Sequence, residues 1–300
     1  MVHLTEAERG FLLLTSHLGD PERKPLTVAQ FRDLTNRATQ CSRREPDRDM
    51  EISDLVSMGY STAAAEHILD LLRDEMLLDW YLSRGEREGC VPVTRVSEVY
   101  PLILRKRLGL DAPCVLWARG DLTVLNTPAI ALVGSRDLRE ENRRFAEEAG
   151  HQAALQGLTL VSGNARGADK AAQNACLNAG GTVISVVADS LLQHTPRENV
   201  LYISENSYDE EFTAPRALSR NRVIHCLGRM VFVAQATLEK GGTWDGSVKN
   251  LRHGWSSVAC FRDGSAAMQE LEQMGAYTVG LEDLQDLTAL LIPEKNLFDR

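Results

Sequence analysis

Four short segments combine glycine, hydroxyl and basic side chains in a way that suits binding of an anion. They are Gly134-Ser135-Arg136, the run from Ser162 and Gly163 through Arg166 and Gly167 to Asp169, Arg220-Asn221-Arg222, and the run from Lys240 through Gly241, Gly242 and Thr243 to Gly246. Glycine lets a backbone come close to a ligand, and free N–H groups at a helix start favour negative charge. Ser135, Ser162 and Thr243 add hydroxyl donors. Arg136, Arg166, Arg220, Arg222 and Lys240 add charge, and arginine can grip a phosphate through two parallel bonds. Each segment alone has a structural reading. Gly-Ser-Arg is a turn, Arg166 and Asp169 make a helix-start ion pair, Arg220 and Arg222 brace neighbouring loops, and Gly241-Gly242 is a tight bend. Their convergence is the argument for a site.

Other chemistry is poorly represented. The seven histidines are dispersed without HxxxH or HExxH spacing, and the six cysteines occur singly with no CxxC pair, so neither a metal site nor a disulfide framework is expected. The GxSxG elbow, the GxxxxGK[ST] phosphate loop and the GxGxxG dinucleotide pattern are absent. No catalytic residue, metal or cofactor is predicted. His225 lies close to the expected site and reads as a packing residue.

The elements that must position these segments follow from hydrophobic rhythm. Residues 129–133 (Ala-Ile-Ala-Leu-Val) form a short apolar run, as expected of a parallel strand buried on both faces. Further strands are predicted over 158–161, 182–188, 200–204, 230–234 and 257–261, with an extended edge at 277–279. Helices are predicted over 140–156, 168–179, 219–227, 246–253 and 265–274. Such alternation makes a Rossmann-like α/β domain, a parallel sheet with helices on both faces. In these sheets ligands bind beyond the carboxyl ends of the strands, where the four segments fall. Upstream, residues 1–83 read as a small helical domain. It starts from a capping box at Thr5–Glu8, has a second helix capped by Thr27, an exposed loop at 41–50, and a corner around Gly59 with the look of a small helix-turn-helix or an ordinary helical bend. Residues 84–126 read as a connector with extended pieces, 127–283 as the α/β domain, and 284–300 as a tail.

The chain of 300 residues is 43% hydrophobic and 25% charged, an ordinary globular composition. Its apolar run at 11–14 is too short for a membrane span, so a cytoplasmic protein with no membrane partner is expected. A net charge of −9 opposes indiscriminate binding of polyanions. Any nucleic-acid role therefore rests on particular arginines.

The motifs together resemble the DNA-processing protein A family (DprA/Smf), in the wider Rossmann-like group that includes the LOG nucleotide phosphoribohydrolases. The likeness starts at Glu98-Val-Tyr-Pro-Leu-Ile-Leu104 and Ala112-Pro-Cys-Val-Leu-Trp-Ala-Arg-Gly120. It continues through Ala131-Leu-Val-Gly-Ser-Arg136, Val161-Ser-Gly-Asn-Ala-Arg-Gly-Ala-Asp169, Ser204-Glu205, Ser219-Arg-Asn-Arg-Val-Ile224 and Val231-Phe-Val-Ala234. The resemblance implies single-stranded DNA binding in recombination, with the strand handed to a recombinase and no bond-making step. It also implies a homodimer formed through the α/β domain. Arg136 and residues 162–167 would touch the phosphate backbone, with Arg220, Arg222 and 240–243 completing the wall. The chain departs from the family pattern at Gln173, where His is usual, at Gln235, where an acid is usual, and at 241–246. It also has little sequence for a C-terminal winged helix. Two other readings stay open: a sensor of a small nucleotide, and a LOG-type hydrolase in which Asp245 stands in for the catalytic Glu.

Overall fold

The computed structural model describes residues 3–41, 49–205 and 207–291. Most of the loop expected at 41–50, and the tail beyond 291, lie outside these residues. The N-terminal unit comprises α1 (Glu6–Thr15), α2 (Val28–Gln40), α3 (Ile52–Ser57), α4 (Thr62–Arg73) and α5 (Glu75–Arg87). Thr5 and Glu8 form the expected capping box on α1, and Thr27 and Gln30 form another on α2. Reciprocal bonds of this kind satisfy backbone donors that a helix start leaves open. Arg23 is buried among these helices. It donates to the carbonyls of Leu13, Ser16 and Leu71 and to Asp74, so one side chain closes the ends of α1 and α4. The corner at Gly59 packs on α2 through a 2.8 Å bond from Tyr60 to Asp33. The exposed side of α4 carries Glu66, His67, Asp70 and Arg73, the last two 3.9 Å apart.

The sheet holds β1 (Cys90–Thr94), β2 (Val115–Arg119), β3 (Ala129–Val133), β4 (Thr159–Ser162), β5 (Val183–Val187), β6 (Val200–Glu205), β7 (Met230–Val233), β8 (Ser257–Phe261) and β9 (Tyr277–Val279). Their order is β1-β2-β6-β5-β4-β3-β7-β8-β9. Neighbours from β6 to β9 pair in parallel, whereas β1–β2 and β2–β6 pair antiparallel. The segment read as a connector therefore supplies two strands of the same sheet. Between them lies α6 (Leu102–Leu108), and the parallel part carries α7 (Glu140–Leu155), α8 (Ala168–Asn178), α9 (Ala214–Leu227), α10 (Gly241–His253), α11 (Ala266–Gln273) and α12 (Leu287–Leu290).

Each face of the sheet has its own core. Ile130, Leu132, Leu160 and Phe232 pack with residues of α7 and α8, including Phe145, Ala149 and Ala172. Ala131, Val133, Val161 and Val231 turn to the other face and meet Val223, Ile224 and Leu227 of α9. The alternation is the period of two of a strand, and burial of both sides explains the continuous apolar runs. The first core extends into the N-terminal unit. Tyr81 of α5 stacks on Tyr208 with ring centroids 4.5 Å apart, meets Trp117 of β2 edge-on, and bonds Asp209 at 2.6 Å.

Two helix starts differ from expectation, and both matter to the site. Thr213 caps α9 by accepting from the Arg216 backbone N–H, and Pro215 occupies the first turn. Proline suits that position because its missing N–H has no partner there anyway. The helix thus begins at Ala214, and Arg220 sits within it instead of opening it. Likewise α10 begins at Gly241, so the two glycines form its first turn.

Candidate anion-binding cleft

The parallel strands run outward in two directions from β3. The chain passes from β3 to β4, β5 and β6 on one side and returns to β7 on the other. Loops leaving β3 and β7 diverge there, and a crevice opens at this topological switch point. A cleft of about 440 Å³ occupies it, lined by Gly134, Ser135, Arg136, Asp169, Arg220, Asn221, His225, Gln235, Lys240, Gly241, Gly242 and Thr243 among others.

The loop after β3 is held from both sides. The Ser135 N–H donates to Gln235 at 2.9 Å, and the Ala168 N–H donates to the Ser135 carbonyl at 3.1 Å. Gly134 is required at its position, since a Cβ there would lie 2.5 Å from Ala168 Cβ. Gln235 clamps the loop further by donating from Nε2 to the Asp137 carbonyl at 3.1 Å and accepting from the Arg139 N–H at 2.9 Å. An acid at this position could not donate while ionised, which gives the departure at Gln235 a physical role. Gln173 has one as well: buried, it donates to Ser162 Oγ at 2.6 Å and reaches Ser185 Oγ at 3.4 Å.

Asp169 is buried at the start of α8 and accepts from the N–H groups of Gly163 and Ala165, each at 3.1 Å. It thereby shapes the 162–167 loop. Burial pushes its carboxyl up to about 6, against the opposing pull of Arg220 and the two backbone donors. Arg220 reaches inward from α9 and donates from Nη1 to the Gly163 carbonyl at 2.7 Å and to the Val186 carbonyl. Its Nε has no partner among the described residues. Burial lowers the guanidinium's pKa, with Asp169 the leading opposing charge. Arg220 thus ties the ends of β4 and β5 together and sets its positive charge beneath the cleft, beside the Asp169 carboxylate.

The opposite wall is the start of α10. Lys240 is its N-cap residue and makes no side-chain cap bond, so the first N–H groups of the helix remain available to an anion. Asn221 Nδ2 donates to the Gly242 carbonyl at 3.1 Å and fixes this turn against α9. His225 is fully buried, and burial pushes its imidazole down to about 4, so it is neutral at pH 7. Its Nδ1 accepts from Asn250 Nδ2 at 3.1 Å, which places the proton on Nε2. That nitrogen lies 2.8 Å from where a Cβ on Gly246 would stand.

The cleft therefore brings together nine of the predicted residues: Gly134, Ser135, Arg136, Arg220, Asn221, Lys240, Gly241, Gly242 and Thr243. The others lie elsewhere. Ser162 and Gly163 are buried behind the cleft. Arg166 and Gly167 line a neighbouring groove with Arg136. Arg222 points away on the far side of α9, paired with Glu205 at 2.8 Å and bonded to the Asp111 carbonyl. Asp245 does not line the cleft and pairs with Lys249 at 2.8 Å. The rim also carries Phe212 and Leu218, large apolar side chains about half exposed, which the glycine, hydroxyl and arginine pattern does not single out. The apolar character of 212–218 in front of the arginine motif was the available signal. Cationic side chains outnumber carboxylates here: Arg136, Arg220 and Lys240 stand against Asp169. Arg136 and Lys240 have no ion-pair partner among the described residues.

Fold and cleft together define an α/β protein with an open, mostly parallel sheet and a crevice at its switch point where cationic side chains outnumber carboxylates. The family described as DNA recombination-mediator protein A matches residues 92–287, well over half of the chain. The protein belongs to that family. It is 32% identical over 168 residues to DNA processing protein DprA of Streptococcus pneumoniae, covering 51% of this chain and 54% of that protein. The chain thus spans about half the length of that relative. It is 29% identical over 232 residues to DNA processing protein DprA of Bacillus subtilis, covering 72% of this chain and 76% of that one. The solved structure of DNA processing protein A from S. pneumoniae superposes with a TM-score of 0.72 at 24% identity, covering 97% of this chain and 100% of that one. A structure from Helicobacter pylori, described for its single-stranded DNA binding mode, gives a TM-score of 0.55 at 22% identity over 67% of this chain and 95% of that one. These two superpositions show the shared fold.

Proposed function

We propose that the protein binds single-stranded DNA in recombination or DNA processing, through the switch-point cleft and without making or breaking a bond. The observation that carries this reading is the placement of Arg136 and Lys240, which have no ion-pair partner among the described residues, with the start of α10 and the buried Arg220 at one cleft. In a chain of net charge −9, cations concentrated at one crevice favour a phosphate there over polyanion binding spread across the surface. The half-exposed Phe212 and Leu218 at the rim offer apolar surface to a base. Membership of the recombination-mediator family and the single-stranded DNA binding described for the H. pylori structure support the same ligand. A homodimer and transfer of the strand to a recombinase belong to this proposal.

The non-catalytic part rests on the chemistry at hand. Burial pushes the thiols of Cys226 and Cys260 up to about 12, so neither supplies a thiolate nucleophile near neutral pH. His225 is neutral and engaged with Asn250, and Asp245 is engaged with Lys249.

The small size of the cleft favours a second reading, in which it holds one nucleotide as a signal. Competition separates the two. A labelled oligothymidylate bound to the protein is challenged with unlabelled oligothymidylate and with thymidine monophosphate. The strand reading expects the oligonucleotide to compete at concentrations at least about 100-fold lower, because several phosphates contribute. Equal competition by the mononucleotide would replace it with the sensor reading. Release of free base from a nucleoside monophosphate, abolished by Asp245→Asn, would replace it with the hydrolase.

A further inference from the structure

Beside the cleft lies a second concavity of about 690 Å³, between α7 and α8. The two meet only at Arg136, which lines both. Its exposed lining includes Arg143 from the first turns of α7 and Lys170 from α8, with Arg166 from the loop before α8. Glu147 and Asp137 are the carboxylates facing them. Arg143 has no ion-pair partner among the described residues. Arg166 pairs with Asp137 at 2.8 Å, but both side chains are about four-fifths exposed, and an ion pair in that setting holds little energy and exchanges readily. Lys170 bonds the Asn164 side-chain oxygen, a neutral partner.

The floor has a different chemistry. Gly167, Ala171 and Ala175 leave it open, and α7 and α8 approach closely below it, with Gly150 so near Ala172 that a Cβ would lie 2.1 Å from its carbonyl oxygen. Asn174 and Asn178 stand one turn apart along α8 and offer amide donors and acceptors to the same groove. A groove with a small-residue floor, spaced amides and cations along its rim matches a sugar–phosphate chain, which needs charge on its edge and room for its width.

We infer that the α7–α8 groove is a second stretch of the strand path: the backbone leaving the switch-point cleft turns over Arg136 and lies against Arg143, Arg166 and Lys170. This rests on the proposed function, and it adds a direction of travel and a second set of phosphate contacts. A strand of a few nucleotides fills the cleft alone, whereas a longer one also occupies the groove.

The test uses the full chain and oligothymidylates of about 5 and about 20 nucleotides, followed by fluorescence anisotropy at several salt concentrations. Arg143→Glu with Lys170→Glu is compared with Arg252→Glu, a charge reversal at the far end of α10. The groove variant is expected to bind the short strand within about twofold of the parent, to bind the long strand at least about tenfold more weakly, and to lose about 1.4 from the salt slope. If its long-strand affinity falls no further than that of Arg252→Glu, the groove is not on the path. In the unaltered protein, acetylation of Lys170 is expected to be slowed by the long strand and not by the short one. Equal acetylation with and without the long strand would also overturn the inference, while DNA binding and its dependence on Arg136 would remain. Loss of all oligonucleotide binding by the unaltered protein would instead remove the proposed function, and the groove with it.

Discussion

Arg220 and Arg136 are both arginines of the proposed anion-binding segments, yet their environments give them different work. Arg220 is buried and spends Nη1 on two backbone carbonyls. Its loss leaves those acceptors unpaired and the Asp169 carboxylate without its nearest compensating charge. Arg220→Ala is therefore expected to destabilise the fold by about 3–5 kcal/mol, read as a lower denaturant midpoint; a change within about 0.5 kcal/mol would deny it a structural role. Asp169 makes a pH-dependent prediction. Its carboxyl is raised to about 6, so the folded protein holds this proton more tightly than the unfolded chain does. Charging it costs stability as pH rises from the ordinary acid range through about 6, and protonating it removes a negative charge beneath the cleft. Oligonucleotide affinity is expected to rise as pH falls through about 6, and Asp169→Asn to flatten that step. A step of the same size in the variant would assign the titration to another group.

At the scale of elements, the site depends on loops locked to one another by backbone contacts. Gly167 has φ of +87° and faces the Ser135 carbonyl oxygen, which a Cβ would approach to 2.3 Å. Gly180 has a similar φ of +78° with nothing nearby. A side chain is strained by the positive φ at both positions, but at Gly167 ψ is −124°, outside the left-handed helical well, and only Gly167→Ala also drives the β3 and β4 loops apart. Gly167→Ala is expected to lower the melting temperature more than Gly180→Ala and to weaken DNA binding, which Gly180→Ala leaves intact. Equal effects in both assays would mean the loops are not coupled.

The elements also show what was legible in the sequence. The apolar run at 129–133 and the strand–helix rhythm place Gly134–Arg136 and Lys240–Thr243 at the carboxyl edge, because a parallel sheet leaves its loops nowhere else to go. The direction of Arg220 was not legible. It depends on where α9 starts, and the Thr213 cap with Pro215 starts it before the alternation suggests. Arg222, two residues on, consequently points to Glu205 on the far side. The place of β1 and β2 was hidden for another reason: β2 pairs with β6, which comes long after it in the chain. No local pattern announces a pairing over that separation.

The whole molecule joins an N-terminal helical unit to the α/β sheet through one continuous core. Tyr81, Trp117 and Tyr208 form the join, and Arg84 adds a 2.9 Å ion pair to Asp209. The surface as a whole is acidic, with a formal charge of −9. Long-range electrostatics therefore oppose a polyanion, and affinity has to come from short-range contacts in the cleft. Screening weakens both effects, but phosphate contacts release condensed counterions and dominate the salt dependence.

That balance makes one titration the most direct test of the central claim. Binding of an oligothymidylate of about 20 nucleotides is followed over roughly 50–200 mM salt for the protein and for Arg136→Ala. The account predicts a logarithmic affinity that falls linearly with logarithmic salt, and a variant that binds more weakly with a slope shallower by about 0.7, one phosphate contact fewer. Binding that is absent, insensitive to salt, or unchanged by Arg136→Ala would contradict it.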